Sequence, residues 1–185
     1  KSGVVLVEDE YARKLYESSP IPVVGIGEGL EYGYSYQAGE LTITGKHALN
    51  AHFEQGALMA KNLVLAIVML LEAGISAQEL ESAVNSAELY VPGRLELVSD
   101  AKPHVYVDYA HTPAGVASAV MEIKQRYPKL TVILGASGNR DQGKRTEMGI
   151  AGANADLLII TDQHPRDEDP AKIRHTLVTA AATKL

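Results

Sequence analysis

Cysteine and tryptophan are absent from this 185-residue chain, and phenylalanine occurs once. Without cysteine there is no disulfide framework, no thiolate metal site and no thiol nucleophile. A core without Trp and with a single Phe has to be built from Val, Ile, Leu, Ala and Met. Basic charge is in deficit: 17 Lys and Arg face 23 Asp and Glu, a formal net charge of −6. That balance argues against nucleic acid or an anionic membrane as the main partner, while leaving room for a local basic pocket that takes a phosphate or carboxylate. Long apolar runs are missing too. The longest, Leu63 to Ala73, is interrupted only by Glu72 and falls short of the roughly 20 residues a bilayer span needs. No signal-peptide pattern stands at the start.

What is present is a packed, soluble composition, 46% apolar and 22% charged, enough for one ordinary domain or two small ones. The chain opens on Lys1-Ser2-Gly3 directly before a strand-like run and stops at Thr183-Lys184-Leu185 straight after a helical pattern. A natural protein can begin and end this way, and so can an excised piece of a longer one.

Val4 to Val7 reads as a short buried strand, and Asp9 as the cap of a helix in which Tyr11, Leu15 and Tyr16 recur at helical spacing. Ile21 to Ile26 is a second strand. Tyr32 to Gln37 and Leu41 to Thr44 alternate around Ala38-Gly39, the pattern of a hairpin. Gly56 to Ala73 is helical and apolar on nearly all sides, which predicts a buried helix ended by Gly74, with Asn62 inside it in need of a partner. Ser76 and Glu79 form a capping box for the next helix.

Val91-Pro92-Gly93 breaks the pattern, and a domain boundary is placed there, between residues 1–90 and 91–185. Beyond it strands and helices alternate: strands at Val105–Val107, Leu130–Leu134 and Leu157–Thr161, helices at Ala114–Tyr127, Thr146–Ala155 and from Asp169-Pro170 onward. Continuous apolar strands between helices predict an α/β fold with a mainly parallel sheet.

In such sheets ligands bind beyond the carboxyl ends of the strands. Three polar clusters stand at those places: Asp108 to Pro113, Gly135 to Arg145, and Asp162 to Asp167. The middle one, Gly138-Asn139-Arg140-Asp141-Gln142-Gly143-Lys144, matches seven places of the phosphate-binding P-loop. Its eighth, where a Ser or Thr hydroxyl would ligate Mg²⁺, is Arg145. The loop is therefore a poor triphosphate cradle but a good anion site, with Arg140, Lys144 and Arg145 as cations. Arg166 follows a proline that stiffens its loop, and suits a bidentate carboxylate contact; the plain alternative is a surface ion pair with Asp167 or Glu168. Asp108 can accept from ribose hydroxyls or cap the helix after Pro113. His111 can meet a phosphate or an adenine, or be merely exposed. His47 and His52 are five apart, wrong for one helical face, and no Ser-His-Asp set or metal-ligand cluster is visible.

Val91-Pro92-Gly93-Arg94-Leu95-Glu96, Asp108-Tyr109-Ala110-His111-Thr112-Pro113, Gly138 to Arg145 and Asp162 to Arg166, in this order and separation, resemble the Mur ligase family, its tripeptide-synthetase branch in particular. The likeness is strong over Val91 to Pro170 and weaker over residues 1 to 90, through Asp9-Glu10-Tyr11 and Gly56 to Gly74. It implies a three-domain, ATP-dependent ligase. This chain would supply the end of the P-loop-type α/β central domain and most of a Rossmann-like C-terminal domain. The P-loop and Mg²⁺ ligands would lie upstream of Lys1, so no catalytic or metal-ligating residue is expected within the chain.

The implied reaction adds a third amino acid, meso-diaminopimelate or another diamino acid, to UDP-MurNAc-L-Ala-D-Glu through an acyl phosphate, in a cytoplasmic monomer. By resemblance Asn62 approaches adenine, Arg94 the ATP phosphates, Asp108 the ribose, and His111 the nucleotide. Arg140 and the loop Gln163-His164-Pro165-Arg166 hold the carboxylate of the incoming amino acid. Two departures stand out. The loop commonly reads Asp-Asn-Pro-Arg in the diaminopimelate members, so the arginine is kept and the amide is replaced by His164. Met59 stands where the family usually has an asparagine. A folylpolyglutamate-synthase-like ligase and a non-catalytic nucleotide- or anion-binding module are the alternatives; Thr112-Pro113 and Pro165-Arg166 favour the first reading.

Overall fold

The computed structural model describes residues 2–184 except Glu88 and Tyr90, so the expected domain limits at Lys1, Tyr90 and Leu185 fall outside the described residues. The chain forms two compact units, Lys1–Val91 and Pro92–Leu185.

The first unit is a five-stranded mixed sheet. Strands β1 (Gly3–Leu6), β2 (Val23–Ile26) and β3 (Tyr32–Gln37) run parallel; β4 (Glu40–Gly45) and β5 (Leu49–His52) continue the sheet antiparallel. Between β1 and β2 lies α1 (Glu10–Ser18), opened by Asp9, whose carboxylate accepts the Ala12 amide at 2.7 Å. Its apolar residues do not form a core face: Tyr11 and Leu15 are exposed.

The β3–β4 hairpin turns on Ala38 and Gly39, both at positive φ (51° and 85°), which matches the right-handed twist of the strands it joins. β5 carries no clear strand signal, being short and half polar, yet Leu49 and Ala51 point into the core. The outward amides of Asn50 and His52 donate to Glu81 and Asn85 at 3.0 and 2.7 Å. Side chains thereby satisfy an edge that would otherwise be open to a further strand.

Helix α2 (Ala57–Glu72) is not buried all round as its composition predicts. Ala60, Val64, Ile67, Val68 and Leu71 face the core at helical spacing, while Met69 and Leu70 are exposed. It has a core-facing stripe packed with strand residues, each fully buried side chain contributing about 1.5–3 kcal/mol. Gly74, at φ 96°, closes α2, with the Ile75 amide donating back to Leu70. The capping box of Ser76 and Glu79 opens α3 (Ala77–Ser86). Tyr32 is wholly buried, and its hydroxyl donates to Glu72 at 2.8 Å, which also pairs with Lys46. A buried phenol keeps a partner for its polar tip in this way.

The second unit holds β6 (Glu96–Ser99), β7 (Val105–Val107), α4 (Pro113–Arg126), β8 (Thr131–Leu134), α5 (Lys144–Gly152), β9 (Leu157–Ile160) and α6 (Pro170–Ala182). β8 and β9 are parallel, as the α/β reading expects. β6 is additional: it pairs antiparallel with β7 across a bulge at Leu97–Ser99. Thr112 and Asp169 cap α4 and α6, each with proline in the first turn. Val116 and Val120 of α4, Met148 and Ala151 of α5, and Ile173 and Leu177 of α6 pack with Leu134 and Ala136 into one core. The strands are not buried on both faces as their continuous apolar runs predict. Val132, Leu158 and Ile160 pack on the core, whereas Ile133, Leu157 and Ile159 are exposed, because these helices cover one face only.

Candidate functional site

The β8–α5 and β9–α6 loops leave the same ends of two parallel strands, so topology alone brings them together. Contact between them is close. The Gly138 amide donates to the His164 carbonyl at 3.1 Å, and a Cβ on Gly138 would lie 1.8 Å from the Pro165 carbonyl oxygen. Only glycine admits that approach. Asn139 reinforces it: its backbone amide donates to Glu168 at 2.6 Å and its side-chain amide to Asp167 at 2.8 Å. Asn139, His164 and Arg166 all sit in the left-handed region, at φ 51°, 44° and 54°. Each such conformation costs about 1 kcal/mol or more, so the surrounding bonds have to hold it.

Arg145 is not one of the anion-binding cations its place in the near-P-loop predicts. It is buried, and its guanidinium makes a two-pronged pair with Glu168 at 2.8 and 2.9 Å, plus a bond to the Ser137 carbonyl at 3.1 Å. The Arg145 guanidinium, then the Asn139 amide, pull the Glu168 carboxyl down to about 2. The Gly143 amide at the start of α5 is likewise taken, by Asp141 at 2.9 Å.

The other two arginines differ. Arg140 and Arg166 are exposed and make no hydrogen bond or ion pair among the described residues. Neither acid next to Arg166 neutralises it: Asp167 is bound to Asn139 and Glu168 to Arg145. Gln163 and His164 are exposed beside Pro165. The loops therefore present two uncompensated guanidinium groups on a locked backbone, a geometry suited to a carboxylate or phosphate.

Arg94, Asp108 and His111 form a second group in the same unit. The Asp108 carboxylate accepts the Leu95 amide at 2.9 Å and the Ala110 amide at 2.7 Å, tying the Gly93–Leu95 turn to the end of β7. It does not cap α4, whose cap is Thr112. The Arg94 guanidinium lies 5.0 Å over the Tyr109 ring, and His111 meets that ring edge-on at 5.1 Å. His111 Nδ1 is 3.1 Å from the Tyr109 carbonyl. A carbonyl can only accept, so Nδ1 carries the proton and Nε2 of the neutral ring is left as an acceptor. A cation, a carboxylate and an imidazole are thus held around one aromatic platform.

Asn62 belongs to the first unit. It lies on an exposed part of α2, its amide 3.8 Å from the Met59 sulfur, so it is not the buried amide in need of a partner that the helix pattern predicts. The sequence does not reveal the roles of Tyr109, Asn139 and Glu168, the last of which pairs with Arg145 and not with Arg166. Tyr109 sits inside a quoted motif and was open to notice; nothing local marks Glu168, whose partner is 23 residues away.

Residues 93–184 match the model of the Mur ligase, glutamate ligase domain. The chain is 37% identical to the UDP-N-acetylmuramyl-tripeptide synthetase of Leifsonia xyli subsp. xyli, over 98% of this chain and 39% of that protein. To the UDP-N-acetylmuramoyl-L-alanyl-D-glutamate--2,6-diaminopimelate ligase of Streptomyces avermitilis it is 34% identical, with the same 98% and 39% covered. The chain thus spans about two-fifths of the length of these curated relatives. Among solved structures, a UDP-N-acetylmuramoyl-L-alanyl-D-glutamate--2,6-diaminopimelate ligase superposes with a TM-score of 0.54 at 25% identity, over 96% of this chain and 40% of that one. The Mycobacterium tuberculosis folylpolyglutamate synthase complexed with ADP superposes at 0.71 with 20% identity, over 98% and 42%, a likeness of fold. With the family model matching the second unit and relatives aligned along nearly the whole chain, this protein belongs to the Mur ligase family.

Proposed function

We propose that this chain is part of an ATP-dependent ligase that adds the third amino acid, a diamino acid with a distal carboxylate such as meso-diaminopimelate, to UDP-MurNAc-L-Ala-D-Glu in peptidoglycan precursor synthesis. The observation that carries it is the pair Arg140 and Arg166, exposed and uncompensated on loops locked by Gly138, Asn139 and Glu168. In a chain of net charge −6, two cations left free on these loops support an anion site there. The 34% identical relative, a 2,6-diaminopimelate ligase, supports the same substrate class.

On this reading residues 1–90 are the end of the central ATPase domain and residues 91–185 the domain that binds the amino acid and closes over ATP. ATP, when bound, supplies the phosphoryl group that activates the substrate carboxylate, and Mg²⁺ neutralises its phosphates with ligands outside this chain. The residues of the second unit fit the phosphates and ribose of a nucleotide: Arg94, resting on Tyr109, can reach a phosphate; His111 offers Nε2; Asp108 keeps a lone pair on each oxygen for ribose hydroxyls. Arg140 and Arg166, with Gln163, His164 and Pro165 shaping the loop, hold the incoming amino acid so that its amine faces the activated carbonyl. The contribution to rate is positioning and charge neutralisation.

Full-length protein should turn over ATP only when UDP-MurNAc-L-Ala-D-Glu and a diamino acid are both supplied. Arg166→Ala should raise the KM for the amino acid by about 10- to 100-fold, the loss of one charge-assisted hydrogen bond, and change that for ATP far less. Equal effects on both would refute the assignment. A folylpolyglutamate-synthase-like ligase is the second reading, on the Asp108-Tyr109-Ala110-His111 segment that resembles such ligases. An amino-acid panel separates the two, since turnover with glutamate and a folate, and none with diaminopimelate, lysine or ornithine, selects the second. No amino-acid dependence at all would leave a binding module.

A further inference from the structure

Arg145 occupies a place that electrostatics disfavours. It is the second residue of α5, where the helix dipole repels a cation, and it is buried with its Nε atom lacking a partner among the described residues. A buried pair of this kind is a weak source of stability, since desolvation offsets much of the attraction, and a well-packed apolar side chain often does as well. Its position therefore calls for a reason other than stability.

The reason lies across the loop. Pro165 to Glu168 form a turn closed by the Glu168 amide on the Pro165 carbonyl at 3.1 Å, which puts the Glu168 side chain on the same turn as Arg166. Left alone, that carboxylate is a candidate partner for the Arg166 guanidinium, and an internal partner on the same turn competes with any substrate carboxylate at high effective concentration. In the structure Glu168 is turned away instead. Its two oxygens accept both prongs of Arg145, the Asn139 amide and the Gln142 side chain at 3.3 Å. Asp167, the other neighbouring acid, is held by Asn139.

We propose that Arg145 is a positioning residue that sequesters Glu168, and so keeps Arg166 free for the carboxylate of the incoming amino acid. This rests on the reading of the Arg140–Arg166 loop as the amino-acid site. It gives the arginine in the eighth place of the near-P-loop a role, one that a hydroxyl at that position could not fill.

The test uses the full-length protein, with steady-state kinetics over meso-diaminopimelate and over ATP. Arg145→Met should raise the KM for the amino acid by about tenfold, by a larger factor than that for ATP, because the released Glu168 now occupies Arg166. Adding Glu168→Gln to Arg145→Met should return that KM to within about threefold of the wild-type value, since the competing charge is gone. A purely structural tie would show the opposite pattern, the double variant being no better than the single. Arg145→Lys, which keeps the charge but not the fork, serves if Arg145→Met does not fold; it should raise the KM by a smaller factor and respond to Glu168→Gln in the same way. An unchanged amino-acid KM in the Arg145 variants, or a rise that Glu168→Gln fails to reverse, overturns the proposal. Arg166→Ala run in parallel separates the two ideas. If it raises the amino-acid KM while the Arg145 variants do not, sequestration alone falls. If it has no effect, the amino-acid site itself is misplaced and both fall.

Discussion

Replacing Gly138 by alanine tests the close approach of the two loops directly. The new Cβ would lie 1.8 Å from the Pro165 carbonyl oxygen and 2.6 Å from its carbon, both backbone atoms with no flexible side chain to move aside. Relief to an ordinary contact requires a displacement of about 1.5 Å, which also breaks the 3.1 Å bond from Gly138 to His164. Overpacking costs about 1–3 kcal/mol and the lost hydrogen bond about 1. The smaller entropy of the unfolded alanine chain offsets about 0.4–1 of this. The expected net loss is about 1–3 kcal/mol. For a unit of this size that lowers the melting temperature of its calorimetric transition by about 5–20 °C. Gly143→Ala is the control: that residue is in the right-handed helical region, at φ −59°, and its added Cβ meets only the Asp141 side chain at 3.3 Å. It should shift stability by no more than about 0.5 kcal/mol. If Gly138→Ala melts together with Gly143→Ala, the loops do not pack as described and the carboxylate site built on them loses its frame.

The helix pair behind the loops makes a similar prediction, since a Cβ on Gly149 would fall 2.4 Å from the Leu177 carbonyl oxygen; Gly149→Ala should separate α5 from α6 and cost about 1–3 kcal/mol by chemical denaturation. In the first unit, Ser76→Ala removes one half of the capping box and should cost about 1 kcal/mol, read as a lower denaturation midpoint at an unchanged slope. Acid stability carries the signature of Glu168. Its folded-state carboxyl is depressed to about 2 from an ordinary 4.5, so its contribution is fully present above pH 4.5 and is lost as the pH falls toward 2. Wild type should lose stability over that window more steeply than Glu168→Gln, and parallel acid titrations would contradict the pair with Arg145.

Local signals in the sequence proved legible where the physics is local. Asp9, Ser76, Thr112 and Asp169 mark helix starts because a cap needs only a side chain and an amide two or three residues on. Ala38-Gly39 marks the hairpin because a two-residue turn is set by its own backbone angles. β5 and β6 carry no strand signal in the sequence because they are short and half polar, and are strands only by virtue of their neighbours. The apolar helix at Ala57–Glu72 and the apolar strands β8 and β9 are less buried than their composition predicts, for one reason. Hydrophobicity reports how much surface a segment could bury, and only packing decides which side of it is covered.

The amino-acid sequence by itself determined the α/β class, the family resemblance, and the four motifs in which every proposed site residue except Asn62 lies, because these depend on residue type and order along the chain. It also excluded thiol chemistry within these 185 residues. Which cations are free was decided only by tertiary structure. Arg140, Arg145 and Arg166 are alike as letters, and the first two lie within one near-P-loop. The burial of Arg145 against Glu168, 23 residues away, separates it from the two arginines left exposed. That distinction belongs to a long-range contact, and charge in a protein is set by its partner and its exposure as much as by its side chain.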